Sequence, residues 1–178
     1  MRLIILGPPG AGKGTQSKLI AKEYNLRNIP VGYVLRKEIG EKTKLGMKIK
    51  PYIERGDLAS DSIVYKIIKD YLKKGNFILD GFPRHMSQVK LLKENINAAI
   101  FLDCKKETII KRLKKRKNIK HRKDDHDEII DYRWYIYKKK TLPVINHYRK
   151  RKMLITIDAN PSVRTVFKSI KEKLNRLF

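Results

Sequence analysis

Cysteine is nearly absent: Cys104 stands alone among 178 residues, so no internal disulfide and no cysteine-cluster metal site can form. Acidic residues are scarce as well, 18 Asp and Glu against 43 Lys and Arg, leaving a formal net charge of +25. No apolar run reaches transmembrane length, and the N-terminus has no signal-peptide pattern. These features favour a cytoplasmic protein without a membrane partner. Aromatic residues are few, at 8%. They are not interleaved with the densest basic run, Cys104 to Lys123, as stacking platforms for single-stranded nucleic acid would be.

So positive a field attracts polyanions, whether nucleotides, RNA or acidic lipid. The excess is mostly lysine, is spread along the chain and comes with many Ile, Asn and Tyr residues, a mixture that an AT-rich genome favours. Solvated faces account for most of it. A nucleic-acid partner is not excluded by charge, but no motif for base readout supports one. The length suits one buried core with room for a small inserted lobe.

What is present begins at the N-terminus. Arg2-Leu3-Ile4-Ile5-Leu6 reads as a buried strand and runs into Gly7-Pro8-Pro9-Gly10-Ala11-Gly12-Lys13-Gly14-Thr15. A helix is expected from Thr15 to Tyr24, with Leu19, Ile20 and Ala21 on its apolar side. Strand, glycine-rich loop and helix in this order form a P-loop. Its backbone N–H groups turn inward around phosphates, and Lys13 reaches the β- and γ-phosphates. Gly10, Ala11, Gly12, Lys13, Gly14 and Thr15 are thus candidate ATP-binding residues. Gly14 stands where Ser or Thr is usual, so Thr15 has to supply the hydroxyl for Mg²⁺.

Further strand signals lie at Phe77-Ile78-Leu79, at 98–102 and at 153–157. Between them, Val64, Ile67, Ile68 and Leu72 recur at helical spacing, as do Ile109, Ile110 and Leu113, then Val163, Phe167, Ile170 and Leu174. Alternating strands and helices imply a parallel α/β sheet. The fifty or so residues before Phe77 show several helices and no clear strand pair, so they are expected to form an inserted helical lobe. Asn118-Ile119-Lys120-His121 breaks the pattern of the basic helix before it and reads as a loop, with another helix after Asp124-Asp125.

Ile78-Leu79-Asp80-Gly81-Phe82-Pro83-Arg84 is the second informative stretch. A strand-end aspartate in a P-loop protein is the usual second metal anchor, so Asp80 is a candidate Mg²⁺ ligand, acting through water. Asp-Gly-Phe-Pro-Arg together with the opening loop resembles the nucleoside monophosphate kinases, and adenylate kinases of the short-lid type above all.

The resemblance covers nearly the whole chain. It implies a P-loop NTPase fold with a parallel five-stranded sheet flanked by helices, a core over 1–29, 60–116 and 126–178, a monophosphate-binding lobe over 30–59 and a short lid over 117–125. It implies Mg²⁺ with ATP, and the cysteine-free lid implies no zinc. Val31, Gly32, Arg36, Asp57, Leu58, Ala59, Gly81, Arg84, Gln88, Arg122 and Arg133 then fall at the AMP site. Gln88 matches the residue that meets adenine, although by itself it could merely cap a helix. Arg112, Arg116 and Pro161 fall on the ATP side, Arg112 stacking on the base. Lys13, Arg84, Arg116, Arg122 and Arg133 are the implied catalytic cations. Lys140-Thr141-x-Pro143 followed by His147-Tyr148 also fits. His85 and His121 are expected on exposed loops without acid–base partners.

Pro30-Val31-Gly32-Tyr33 departs from the family's Ser-Thr-Gly-Asp, removing a hydroxyl and a carboxylate from the acceptor site, and Ala59 replaces a valine. The leading expectation is therefore a Mg²⁺-dependent phosphotransferase interconverting ATP and AMP with two ADP. A broader or pyrimidine-preferring monophosphate kinase is the alternative, and an RNA-associated P-loop ATPase is more remote.

Overall fold

The computed structural model describes residues 1–73, 75–92, 95–120 and 127–178, and the side chains of all of these except 117–120, 127 and 128. Five strands, β1 (Arg2–Leu6), β2 (Arg27–Pro30), β3 (Phe77–Asp80), β4 (Ala98–Asp103) and β5 (Leu154–Asp158), form one sheet in the order β2-β3-β1-β4-β5. Every pairing is parallel. This is the α/β architecture that the alternating pattern implies.

The central strand shows why the sequence folds this way. Leu3, Ile4 and Ile5 are each 0% exposed. Because strand side chains alternate between faces, Ile4 packs into one apolar layer while Leu3 and Ile5 pack into the other. Burying such a side chain contributes about 1.5–3 kcal/mol. One layer takes its helical side from α2 (Val31–Gly40), α3 (Lys44–Glu54), α4 (Asp61–Leu72) and α8 (Leu142–Lys150). The other takes it from α1 (Lys13–Glu23), α6 (Lys106–Lys120) and α9 (Val163–Asn175). The short α5 (Met86–Leu91) follows the Asp-Gly-Phe-Pro-Arg turn, and α7 (Asp127–Ile136) carries Trp134, which packs against both layers.

Four details differ from the sequence reading. β2 lies where no strand was expected: Ile29 alone is fully buried there, and Pro30, which lacks an N–H, is tolerated because the strand is an edge. In α1 the buried face is Gln16, Ser17, Ile20 and Ala21, with Leu19 only half-buried. In α9 Val166, Ile170 and Leu174 face the core, whereas Val163 opens the helix and is 50% exposed. The backbone of α6 stays helical through Lys120, so the loop expected at 118–121 does not start at Asn118.

Between α7 and α8 the helical path continues through a π-helical segment, Tyr137–Thr141, in which the Leu142 N–H donates to the Tyr137 carbonyl. Its wider turn brings both Tyr137 and Thr141 inward, each under 10% exposed. Among the described residues, no helix is long and apolar enough to cross a membrane.

Candidate active site

Parallel register brings the C-terminal ends of the strands to one edge, where Asp80 of β3 is level with Ile5 of β1 and Pro30 of β2. In an open α/β sheet, ligands bind in the crevice at that edge. The loop from Gly7 to Gly12 lies there, directly before α1. Gly12 caps the helix at φ 92°, a left-handed conformation that side chains rarely adopt, and a Cβ there would project into open space. Gly14 has a different reason: a Cβ on it would stand 3.3 Å from Asp80 Oδ2. The close approach of Asp80 thus accounts for glycine at a position where a hydroxyl residue is common.

Lys13 Nζ donates to the carbonyls of Gly7 (2.7 Å) and Pro8 (2.8 Å), folding back over its own loop. Its pKa is lowered to about 7, chiefly by burial; Asp80 opposes the shift, while Arg84, Arg133 and Arg116 add to it. The gathering of Lys13 and these three arginines makes a positively charged setting suited to a polyanion. Thr15 is exposed at the start of α1 and Asp80 lies beside Gly14. Hydroxyl and carboxylate are hard oxygen donors of the kind Mg²⁺ prefers, so these residues fit that ion.

Two clefts open at this edge. One, about 500 Å³, is lined by Gly7, Pro9, Lys13, Tyr137 and Thr141 among others. The second, about 600 Å³, is walled by Val31, Gly32, Arg36, Asp57, Ala59 and Gln88, with Leu35, Ile53 and Phe82 as apolar surface. Gly56, Leu58, Gly81, Arg84 and Arg133 border both clefts, so two arginines stand at the junction.

Arg84 is fixed from three sides. Its N–H donates to Gln88 Oε1 (2.7 Å), its Nε donates to the Gly81 carbonyl (2.9 Å), and its carbonyl accepts from Thr141 Oγ1 (3.0 Å). Arg133 comes from α7, which packs so closely on the Gly56 turn that a Cβ there would lie 2.7 Å from Ile129 Cγ2 and 2.9 Å from Arg133 Cγ. Gly56 also has φ 79°, so both geometry and space require glycine. Arg36, on α2, reaches back to the Gly32 backbone.

On the other side of the P-loop, Arg112 donates to three carbonyls of the β5–α9 loop: Ala159 (2.8 Å), Asn160 (3.2 Å) and Pro161 (3.1 Å). Its in-plane donors thereby hold this loop. Arg122 lies outside the described residues, as do His121, Asp124 and Asp125.

Gln88 is 3% exposed and does more than cap a helix, because its Nε2 donates to Asp61 Oδ1 (2.7 Å). His85 proves to have partners after all: its Nδ1 lies 2.5 Å from Ser87 Oγ and 3.6 Å from Asp61 Oδ2. Tyr33 is 63% exposed and lines neither cleft. Sequence reasoning did not single out Asp61, Ser87 or Thr141 for these contacts. Asp61 is 26 residues from Ser87 and 27 from Gln88, and Thr141 is 57 from Arg84, so no local spacing signals these pairs.

Comparison with known proteins agrees with this geometry. The family model described as adenylate kinase matches residues 5–153. The adenylate kinase of Prochlorococcus marinus strain MIT 9313 is 38% identical over 182 residues, covering 97% of this chain and 98% of that protein. That of Petrotoga mobilis is 36% identical over 205 residues, covering 96% and 95%, and that of Clostridium tetani is 34% identical over 215 residues, covering 99% and 100%. The last two alignments are longer than the chain itself, so those relatives hold segments that it lacks. With a family match over most of its length and near-complete coverage of these relatives, the chain belongs to the adenylate kinase family.

Proposed function

We propose that the chain catalyses reversible phosphoryl transfer between ATP and AMP, yielding two ADP. One observation carries this reading: a cleft beside the P-loop and a second cleft meet at Arg84 and Arg133. A simple ATPase needs the first cleft and has no use for the second. The relatives' shared name is consistent with the same reaction.

The amides of residues 10–15 and Lys13 hold the phosphates of ATP, with Arg112 and the Pro161 loop at its base. The acceptor lies against Val31, Gly32, Asp57, Leu58, Ala59 and Gly81, its phosphate held by Arg36 and Arg84. Two highly charged phosphate chains repel each other, and phosphoryl transfer needs positioning and charge stabilisation more than covalent help. Arg84, Arg133 and Arg116 supply that charge around the transferred group, since a guanidinium fork binds two oxygens at once and stays charged. By the family resemblance Arg122, which lies outside the described residues, would add to them. Thr15 and, through water, Asp80 would hold the Mg²⁺ that accompanies ATP, which would neutralise phosphate charge there. Closure of the lobe at 30–59 and of the lid keeps water from the reacting phosphate. The ionised monophosphate oxygen is itself the nucleophile, so no general base is required. The single buried cysteine favours a reducing, cytoplasmic setting.

A second reading, broader acceptor specificity, rests on the wall of the acceptor cleft. Val31 gives it a buried methyl group in place of a hydroxyl, Ala59 is a smaller apolar residue than the family's valine, and Tyr33 lines neither cleft. Initial rates with Mg·ATP and AMP, CMP, UMP, GMP or no acceptor decide the matter. ADP formation with AMP alone is expected. Similar rates with several monophosphates establish the broader enzyme, and acceptor-independent hydrolysis overturns the kinase.

A further inference from the structure

Gln88 is held in one of its two amide orientations by groups of opposite polarity. The Arg84 N–H can only donate, and it meets Oε1 at 2.7 Å. The Asp61 carboxylate can only accept when ionised, and it meets Nε2 at 2.7 Å. Turning the amide over would set Nε2–H against an N–H and Oε1 against a carboxylate. Asp61 is in turn held by the Ser87 hydroxyl, which donates to its Oδ2, with His85 Nδ1 at 3.6 Å from the same oxygen. Asp61 stands at the first position of α4, where the helix N-terminus favours negative charge.

An amide has two donors and two acceptor sites. With one of each taken by Asp61 and Arg84, one N–H and one lone pair remain, on a side chain that lines the acceptor cleft. A base edge meeting them must offer an acceptor to Nε2 and a donor to Oε1 in a fixed order. Adenine offers N1 and N6–H in one order; guanine offers N1–H and O6, the reverse. The locked amide matches one purine and opposes the other.

From this the geometry points to Asp61 as a positioning residue that sets purine specificity: it fixes the polarity of Gln88 so that the acceptor cleft accepts adenine monophosphate and rejects guanine monophosphate. Asp61 acts through Gln88 and touches no substrate. This inference rests on the adenylate kinase reading above. Val31 and Ala59 are apolar and Tyr33 is turned to solvent, so these three side chains offer a base no polar group in the cleft.

The test is the ratio of kcat/KM for AMP to that for GMP in wild type, Asp61→Asn and Ser87→Ala. The carboxamide in Asp61→Asn can donate to an inverted Gln88, so the AMP/GMP ratio is expected to fall about tenfold or more, with KM for ATP unchanged. Ser87→Ala keeps the carboxylate and is expected to keep the ratio. Equal losses for AMP and GMP in Asp61→Asn, or an unchanged ratio, overturn the inference, since both describe a merely structural clamp. An independent readout uses wild-type protein alone: the Gln88 side-chain NH₂ signals in NMR should shift on addition of AMP and not of GMP, and no shift with AMP overturns the proposal. Wild-type protein that fails to phosphorylate AMP overturns the kinase assignment and this inference with it. AMP-active wild type with an unchanged ratio in Asp61→Asn overturns the inference alone.

Discussion

At Lys13, burial of an ammonium group outweighs the attraction of Asp80, and Arg84, Arg133 and Arg116 add to the cost, bringing its pKa to about 7 from 10.5. The sign of the consequence follows. The unfolded lysine holds its proton up to about pH 10.5, the folded one only to about 7, so between these values the unfolded state binds more protons. Stability of the ligand-free protein therefore rises with pH across that window. Phosphate oxygens beside Nζ reverse the balance and raise the pKa, so ATP binding at about pH 8 should take up close to one proton. Calorimetric titration in buffers of contrasting ionisation enthalpy measures this, and ATP affinity should weaken as pH rises above 7. Absence of proton uptake would show that the ligand-free lysine is already charged. Lys13 itself was legible from the spacing of the P-loop. Its proton affinity was not, because burial in the folded site sets it first, and Asp80 and the three arginines that modify it come from β3, the β3–α5 turn, α6 and α7.

At the scale of elements, the π-helical segment carries Thr141, whose buried hydroxyl donates to the Arg84 carbonyl and links the helical path from α7 to α8 to the turn after β3. Thr141→Val keeps the shape and leaves that carbonyl without its donor. A loss of about 1–3 kcal/mol in stability by denaturant titration is expected, with a several-fold lower kcat/KM for AMP. A neutral variant would mean that the contact is incidental. The strands at 77–80, 98–103 and 154–158 were readable from short apolar runs. β2 was not: Arg27-Asn28-Ile29-Pro30 has one core side chain, and only its place beside β3 makes it a strand. The lobe it enters shows the same limit. Helical periodicity marked α4, but the closeness of Gly56 to α7 depends on how separate elements pack.

The whole molecule carries +25 around a crevice that must admit two polyanions. At low ionic strength this charge steers nucleotides inward, and it also opposes compaction. Raising salt from about 10 to about 200 mM shortens the screening length to below about 10 Å. The melting temperature of the ligand-free protein should rise over that range, while kcat/KM for Mg·ATP and for AMP should fall. A melting temperature that falls as salt is added would show that attractive ion pairs, such as Lys171 with Glu23 and Lys106 with Asp131, outweigh the repulsion.

The sequence by itself determined the P-loop, the strand-end Asp80, the parallel α/β class and the family, because each rests on spacing within a few residues or on apolar periodicity. Hydrogen bonding along the chain and burial on two sheet faces translate such patterns directly into structure. Tertiary structure alone decided that Arg84 and Arg133 stand between two clefts, that Tyr33 leaves the acceptor site and that Asp61, 27 residues away, sets the polarity of Gln88. Those outcomes depend on which donors and acceptors meet after the layers pack, and local composition does not encode such meetings.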